Sequence, residues 1–102
     1  MKSFITARQP QISELCRTHH VKRLSIFGSA ARDDFDAERS DIDLLVEFEQ
    51  HGIANRFELY FDLHALLEKL FHRQVDLIEA GSIRNAYMQQ AVDEDLRTLY
   101  AA

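Results

Sequence analysis

The sequence predicts a small two-layer domain of the α/β (α+β) class, a short mixed sheet packed against helices. Three observations predict it. The chain has 102 residues, enough for one hydrophobic core. Three short runs, VKRLSIF, DIDLLVEF and QVDLIE, carry the β-branched and alternating residues of strands. Between them lie longer segments whose apolar residues recur at helical spacing.

The elements follow in order. From about Gln9 to His20, the residues Ile12, Leu15, Cys16 and His19 fall on one helical face, and Pro10 suits a first turn. Val21 to Phe27 reads as a strand that ends at Gly28. Ser29 to Asp33 reads as a short helical turn, and Asp34 to Ser40 as a polar connection. In the second strand, period-two alternation puts Ile42, Leu44, Val46 and Phe48 on one face, with Asp41, Asp43, Leu45 and Glu47 on the other. Phe57, Tyr60, Phe61, His64, Leu67, Leu70 and Phe71 then make a broad apolar stripe, expected to pack into the core. A third strand spans Gln74 to Glu79. Ser82 is the expected N-cap of a final helix carrying Ile83, Tyr87, Met88, Ala91, Val92, Leu96 and Leu99. The expected order is αβ(α)βαβα, with three strands in a single domain over residues 1–102.

Composition narrows the function. Hydrophobic residues make up 46% and charged residues 28%, with no repeat or low-complexity tract, as in a globular domain. No stretch is long and apolar enough for a secretory leader or a membrane helix, so a cytoplasmic protein with no membrane partner is expected. A lone cysteine, Cys16, excludes an internal disulfide and a cysteine-based zinc cluster. Cys16 with His20, and His64 with His72, have ligand-like spacings, but two donors do not make a zinc site. The net charge of −5 and the absence of a basic run argue against a nucleic-acid template as direct partner.

The chemistry is concentrated in acids. Asp41 and Asp43 stand at i and i+2 on one strand, so their carboxylates project from the same face about 7 Å apart. Like charges held this close repel, and a hard cation such as Mg²⁺ supplies the missing positive charge. The apolar run LLVEF directly after the pair roots both acids in a rigid strand. Gly28 and Ser29 lie at the turn one strand earlier, where a glycine permits close approach and backbone N–H groups with a hydroxyl can meet a phosphate. Asp76, centred in QVDLIE, either faces solvent or joins the other two acids in a metal cage. Arg32 either neutralises phosphate charge or pairs with Asp33 or Asp36.

The stretch IFGSAARDDFDAERSDIDLLVEF resembles the minimal nucleotidyltransferases of the DNA polymerase β superfamily, whose motif is Gly-Ser, a spacer, and Asp-x-Asp. VDLIE is similar to the strand carrying that superfamily's third acid, which maps to Asp76. GSIRNAYMQQAVDEDLRTLYAA is similar to the family's closing helix. The spacer is one residue longer than usual, and Ala86 stands where many relatives have proline. The resemblance implies a polymerase-β-like nucleotidyltransferase fold and a two-metal Mg²⁺ site on Asp41, Asp43 and Asp76, with ATP as substrate gripped by Gly28 and Ser29 and aided by Arg32. It further implies an antitoxin that pairs with a HEPN-domain ribonuclease toxin and transfers AMP to a toxin tyrosine. Two other readings stay open: a non-catalytic antitoxin that masks its partner, and a transferase acting on a small molecule of the antibiotic type.

Overall fold

The computed structural model describes residues 3–32 and 41–102. A short helix α1 (Ser3–Thr6) leads into α2 (Gln9–Thr18), then strand β1 (Val21–Phe27) and a 3-10 turn (Gly28–Ala31). Strand β2 (Ile42–Phe48), helix α3 (Arg56–Phe71), strand β3 (Val75–Glu79), helix α4 (Ala86–Asp95) and strand β4 (Arg97–Ala101) complete the chain. The sheet order is β3-β2-β1-β4. β1 runs antiparallel to both β2 and β4, whereas β2 and β3 are parallel, so the sheet is mixed.

The parallel step exists because α3 carries the chain from the end of β2 back to the start of β3, the crossover that parallel neighbours require. The Asn55 side chain starts this helix by accepting from the Glu58 N–H, and His72 ends it in the left-handed conformation. One face of the sheet is sealed. Leu24, Ile26, Ile42, Leu44, Val46, Val75 and Leu77 meet Ile12 and Cys16 of α2 and Leu63, Leu67 and Phe71 of α3. The opposite face is covered unevenly, because α4, whose buried residue is Val92, is set against β1 and the 3-10 turn.

Strands β1, β2 and β3 lie where the residue pattern put them, and the alternation along β2 is complete: Ile42, Leu44, Val46 and Phe48 are buried. Three expectations change. The final helix stops at Asp95, and Leu99, counted on its apolar face, instead lies in a fourth strand that fills the free edge of β1. The cap of α4 is Asn85, which accepts from the Tyr87 and Met88 N–H groups, while the Ser82 hydroxyl donates to the Glu79 carbonyl. In α3 the buried line is Leu63, Leu67 and Phe71, leaving Phe57 75% and Phe61 51% exposed. The helix is rotated so that its polar-flanked Leu63 faces the sheet. We therefore expect Leu63→Ala to cost about 2–5 kcal/mol and Phe57→Ala less than about 0.5 kcal/mol, measured by denaturant unfolding. The polar connection expected from Asp34 to Ser40 lies outside the described residues.

Candidate active site

Strand register decides where the three acids stand. Asp43 is the backbone partner of Phe27 on one side and of Asp76 on the other. Since partners in register share a face, Asp43 and Asp76 sit side by side, with Asp41 two residues before Asp43 on the same face. This is the face opposite the core. Asp43 is half-buried, and Asp41 and Asp76 are exposed.

The 3-10 turn brings Gly28 and Ser29 to the same place. Its anchor is Ala30, fully buried in the core. Gly28 has φ +69°, the left-handed region, and a Cβ built on it would collide with the Asp43 carboxylate oxygen Oδ2. The glycine is needed twice over, for its backbone angle and for the space the acid occupies. Ser29 is half-buried, and its carbonyl accepts from the Arg32 N–H at 3.1 Å.

Arg32 is held by Asp95 at the end of α4, Nη1 to Oδ2, at 2.5 Å. The pairing expected with Asp33 or Asp36 falls on residues outside the described ones. Asp95 gave no signal in the sequence, because it is brought to Arg32 only by the packing of α4 on the turn.

Electrostatics ties the acids together. The Asp43 carboxyl is pushed above the usual carboxylate range by burial, then by the charges of Asp76 and Asp41, with Arg32 pulling the other way. The Tyr60 hydroxyl of α3 is pushed up by burial and by Asp76 and Glu79, so it stays a donor at neutral pH. A folded-state pKa above the unfolded value means that ionising Asp43 costs stability. Its contribution is full below the unfolded pKa and is lost as pH rises through the folded pKa. We expect Asp43→Asn to melt higher than the wild type at pH 7 in chelator, by a few degrees for a gain of about 0.5–1 kcal/mol. The gap should close as pH falls toward the unfolded carboxylate range.

The donor set suits a hard cation. Three carboxylates on one face, one of them destabilised by the other two, lack a positive charge. Among the described residues no three His, Cys, Asp or Glu side chains are already drawn together as a metal-holding group, and the three acids lie as a strip along one face. A strip is compatible with Mg²⁺, which takes several ligands from water and phosphate. Zinc finds no such fit. Cys16 is fully buried and its thiol is pushed up to about 12 by burial.

Two polar contacts next to Asp76 were not anticipated. The Tyr60 hydroxyl donates to the Leu77 carbonyl, and His64 Nε2 lies 2.7 Å from the Val75 carbonyl. The signal was present as a polar i, i+4, i+8 series, Tyr60, His64 and Glu68, on the helix before β3.

The chain is similar to known proteins. The family model described as "Nucleotidyltransferase domain" matches residues 10–98. A provisionally named protein adenylyltransferase of Methanocaldococcus jannaschii is 38% identical over 94 residues, 84% of this chain and 92% of its own length. A solved structure of a protein provisionally named a minimal nucleotidyltransferase superposes with a TM-score of 0.72 at 28% identity, covering 90% of this chain and 89% of the other. A solved Shewanella oneidensis complex, tri-AMPylated HEPN toxin with MNT antitoxin, contains a chain that matches with a TM-score of 0.65 at 20% identity. That match covers 96% of this chain and 73% of the other and speaks to the fold alone.

Proposed function

The chain belongs to the nucleotidyltransferase domain family, and from that premise we propose that it moves AMP from ATP onto a tyrosine hydroxyl of a cognate HEPN-domain ribonuclease toxin, acting as its antitoxin. The observation that carries this reading is the register pairing of Asp43 with Asp76, which sets the third acid beside an Asp43 whose carboxylate lies against Gly28. The name borne by the Methanocaldococcus relative supports AMP as the group moved and a protein as acceptor. The tri-AMPylated toxin of the Shewanella complex suggests the kind of protein.

In this reading Asp41 and Asp43 would hold Mg²⁺ for the nucleotide, and Asp76 would hold a second ion. Mg²⁺, when bound, supplies positive charge to the oxygens that attack and leave. The chain's own residues do the rest. Gly28 leaves room for the Asp43 carboxylate and opens the turn whose N–H groups, with the Ser29 hydroxyl, bind the outer phosphates. Arg32, steadied by Asp95, adds positive charge beside Asp43. The acceptor oxygen forms a bond to the α-phosphorus, the bond to the β-phosphate oxygen breaks, and pyrophosphate leaves. Asp76, beside the acceptor, takes the hydroxyl proton. Among the described residues no helix is long and apolar enough to cross a membrane, and we place the reaction in the cytoplasm with ATP.

Incubation of the chain with α-labelled ATP, Mg²⁺ and the product of the gene next to its own is the test. Label on a tyrosine of that protein is the expected result. Absence of label together with full growth rescue by Asp41→Asn would replace catalysis with masking. Label on an added aminoglycoside instead would favour a small-molecule transferase.

A further inference from the structure

β3 is an edge strand of five residues, and it carries Asp76 at its second position. On its inner side the backbone is held by β2: the Gln74 carbonyl accepts from the Ile42 N–H, and the Ala80 N–H donates to the Val46 carbonyl. In a parallel pair successive residues bond to opposite sides, so Val75 and Leu77 turn their backbone groups outward. An outer edge of this kind is ordinarily left to water or to another strand. Here it is bonded by α3. The Tyr60 hydroxyl donates to the Leu77 carbonyl, His64 Nε2 bonds the Val75 carbonyl at 2.7 Å, and the Glu68 carboxylate accepts from the Val75 N–H at 3.0 Å. A carbonyl only accepts, so His64 Nε2 carries its proton. The three side chains stand on successive turns of one helix face. The Tyr60 and His64 rings are near-parallel, 9° apart in plane with centroids at 6.3 Å, and His64 Nε2 lies 3.6 Å from Glu68 Oε2.

The two residues bonded this way, Val75 and Leu77, flank Asp76. We propose that Tyr60, His64 and Glu68 form a ladder that positions Asp76 for nucleotidyl transfer, clamping the backbone on either side of it to α3. The proposal rests on the reading of Asp76 as a metal-holding acid. Its logic is mechanical. An acid on a half-supported strand would wander with the strand, and a carboxylate meant to hold a cation must keep its place to within a fraction of an ångström. The ladder supplies from the helix the support that a further strand would give. It also occupies the acceptors that an incoming strand would use, so an acceptor protein reaches Asp76 from the open face of the sheet and not by adding to its edge.

The test measures Mn²⁺ binding in the presence of an ATP analogue with a non-hydrolysable α–β bridge, by the electron paramagnetic resonance of free Mn²⁺. Tyr60→Phe and His64→Ala are expected to weaken Mn²⁺ binding about tenfold while retaining a cooperative melt. His64→Gln, which keeps an N–H donor, should restore most of the loss. In the Asp76→Asn background the same substitutions should change nothing further, because the ladder acts through that acid. Unchanged affinity in both ladder variants, or an equal loss in the Asp76→Asn background, would overturn the proposal. Asp76→Asn binding Mn²⁺ as tightly as the wild type would instead overturn the reading of Asp76, and the ladder's role with it. Should His64→Ala fail to fold, amide hydrogen exchange of Val75 and Asp76 in Tyr60→Phe decides: faster exchange supports the clamp, and wild-type exchange defeats it.

Discussion

Asp43→Asn is expected to lower AMP transfer by about 10³-fold or more, read as initial rate of label transfer at saturating ATP. Asn keeps the volume and one oxygen but removes the charge that an Mg²⁺-dependent site needs, and the electrostatic contribution of a metal to such a transition state is several kcal/mol. Asp43 is the most exposed to this loss, because it stands between Phe27 and Asp76 in the sheet, with Asp41 beside it. The same substitution removes the buried charge, and with it the repulsion by Asp76 and Asp41, that together raise the Asp43 pKa. One change should therefore make the metal-free protein more stable and the enzyme inert, a trade expected where like charges are held together for use. A variant that keeps more than a tenth of wild-type activity would remove Asp43 from the reaction.

Gly28→Ala is expected to be damaging on two counts. The backbone angle of +69° disfavours any residue with a Cβ by about 1–2 kcal/mol, which for a domain of this size is several degrees of melting temperature. The added methyl would also meet the Asp43 carboxylate, so the acid, the turn or both must shift, and a displacement of about 1 Å at a reacting centre costs about 10²-fold in rate. The two effects separate in a double variant. Combining Gly28→Ala with Asp43→Gly leaves the backbone strain and removes the collision, so the stability loss from Gly28→Ala should shrink in that background. Gly52 and Gly81 also have positive φ, but no atom lies within 4 Å of a Cβ placed there. Alanine at those positions should cost backbone strain without touching the activity.

How far the sequence could be read depended on whether a feature was local. β1, β2 and β3 announce themselves because each has its own apolar pattern, and alternation in β2 separates the core residues from Asp41 and Asp43 without further information. β4 does not. Val92, Leu96 and Leu99 continue the spacing of a helix, and Arg97 to Ala101 becomes a strand only because β1 has an edge to fill. In α3, spacing identified a helix but not its rotation: Phe57 and Phe61 look like core and are exposed, whereas Leu63 is fully buried. Asp76 was an open choice between solvent and site until register set it against Asp43. Gly28 could be assigned to a phosphate-facing turn from its position, but its clearance of the Asp43 side chain is a distance across the sheet that no local pattern encodes.

The alignment of Asp43 with Asp76 is made by backbone bonds between two parallel strands, and this gives the gene an uneven tolerance to copying errors. Residues lost or gained in the exposed stretch 50–52 can be absorbed before α3 begins. A single residue deleted between His72 and Asp76 cannot be absorbed in that way. It would turn Asp76 inward among Leu44, Val46 and Leu67, and bring a core side chain out in its place. Relatives that retain activity should accordingly vary in length ahead of α3 and hardly at all between α3 and the third acid.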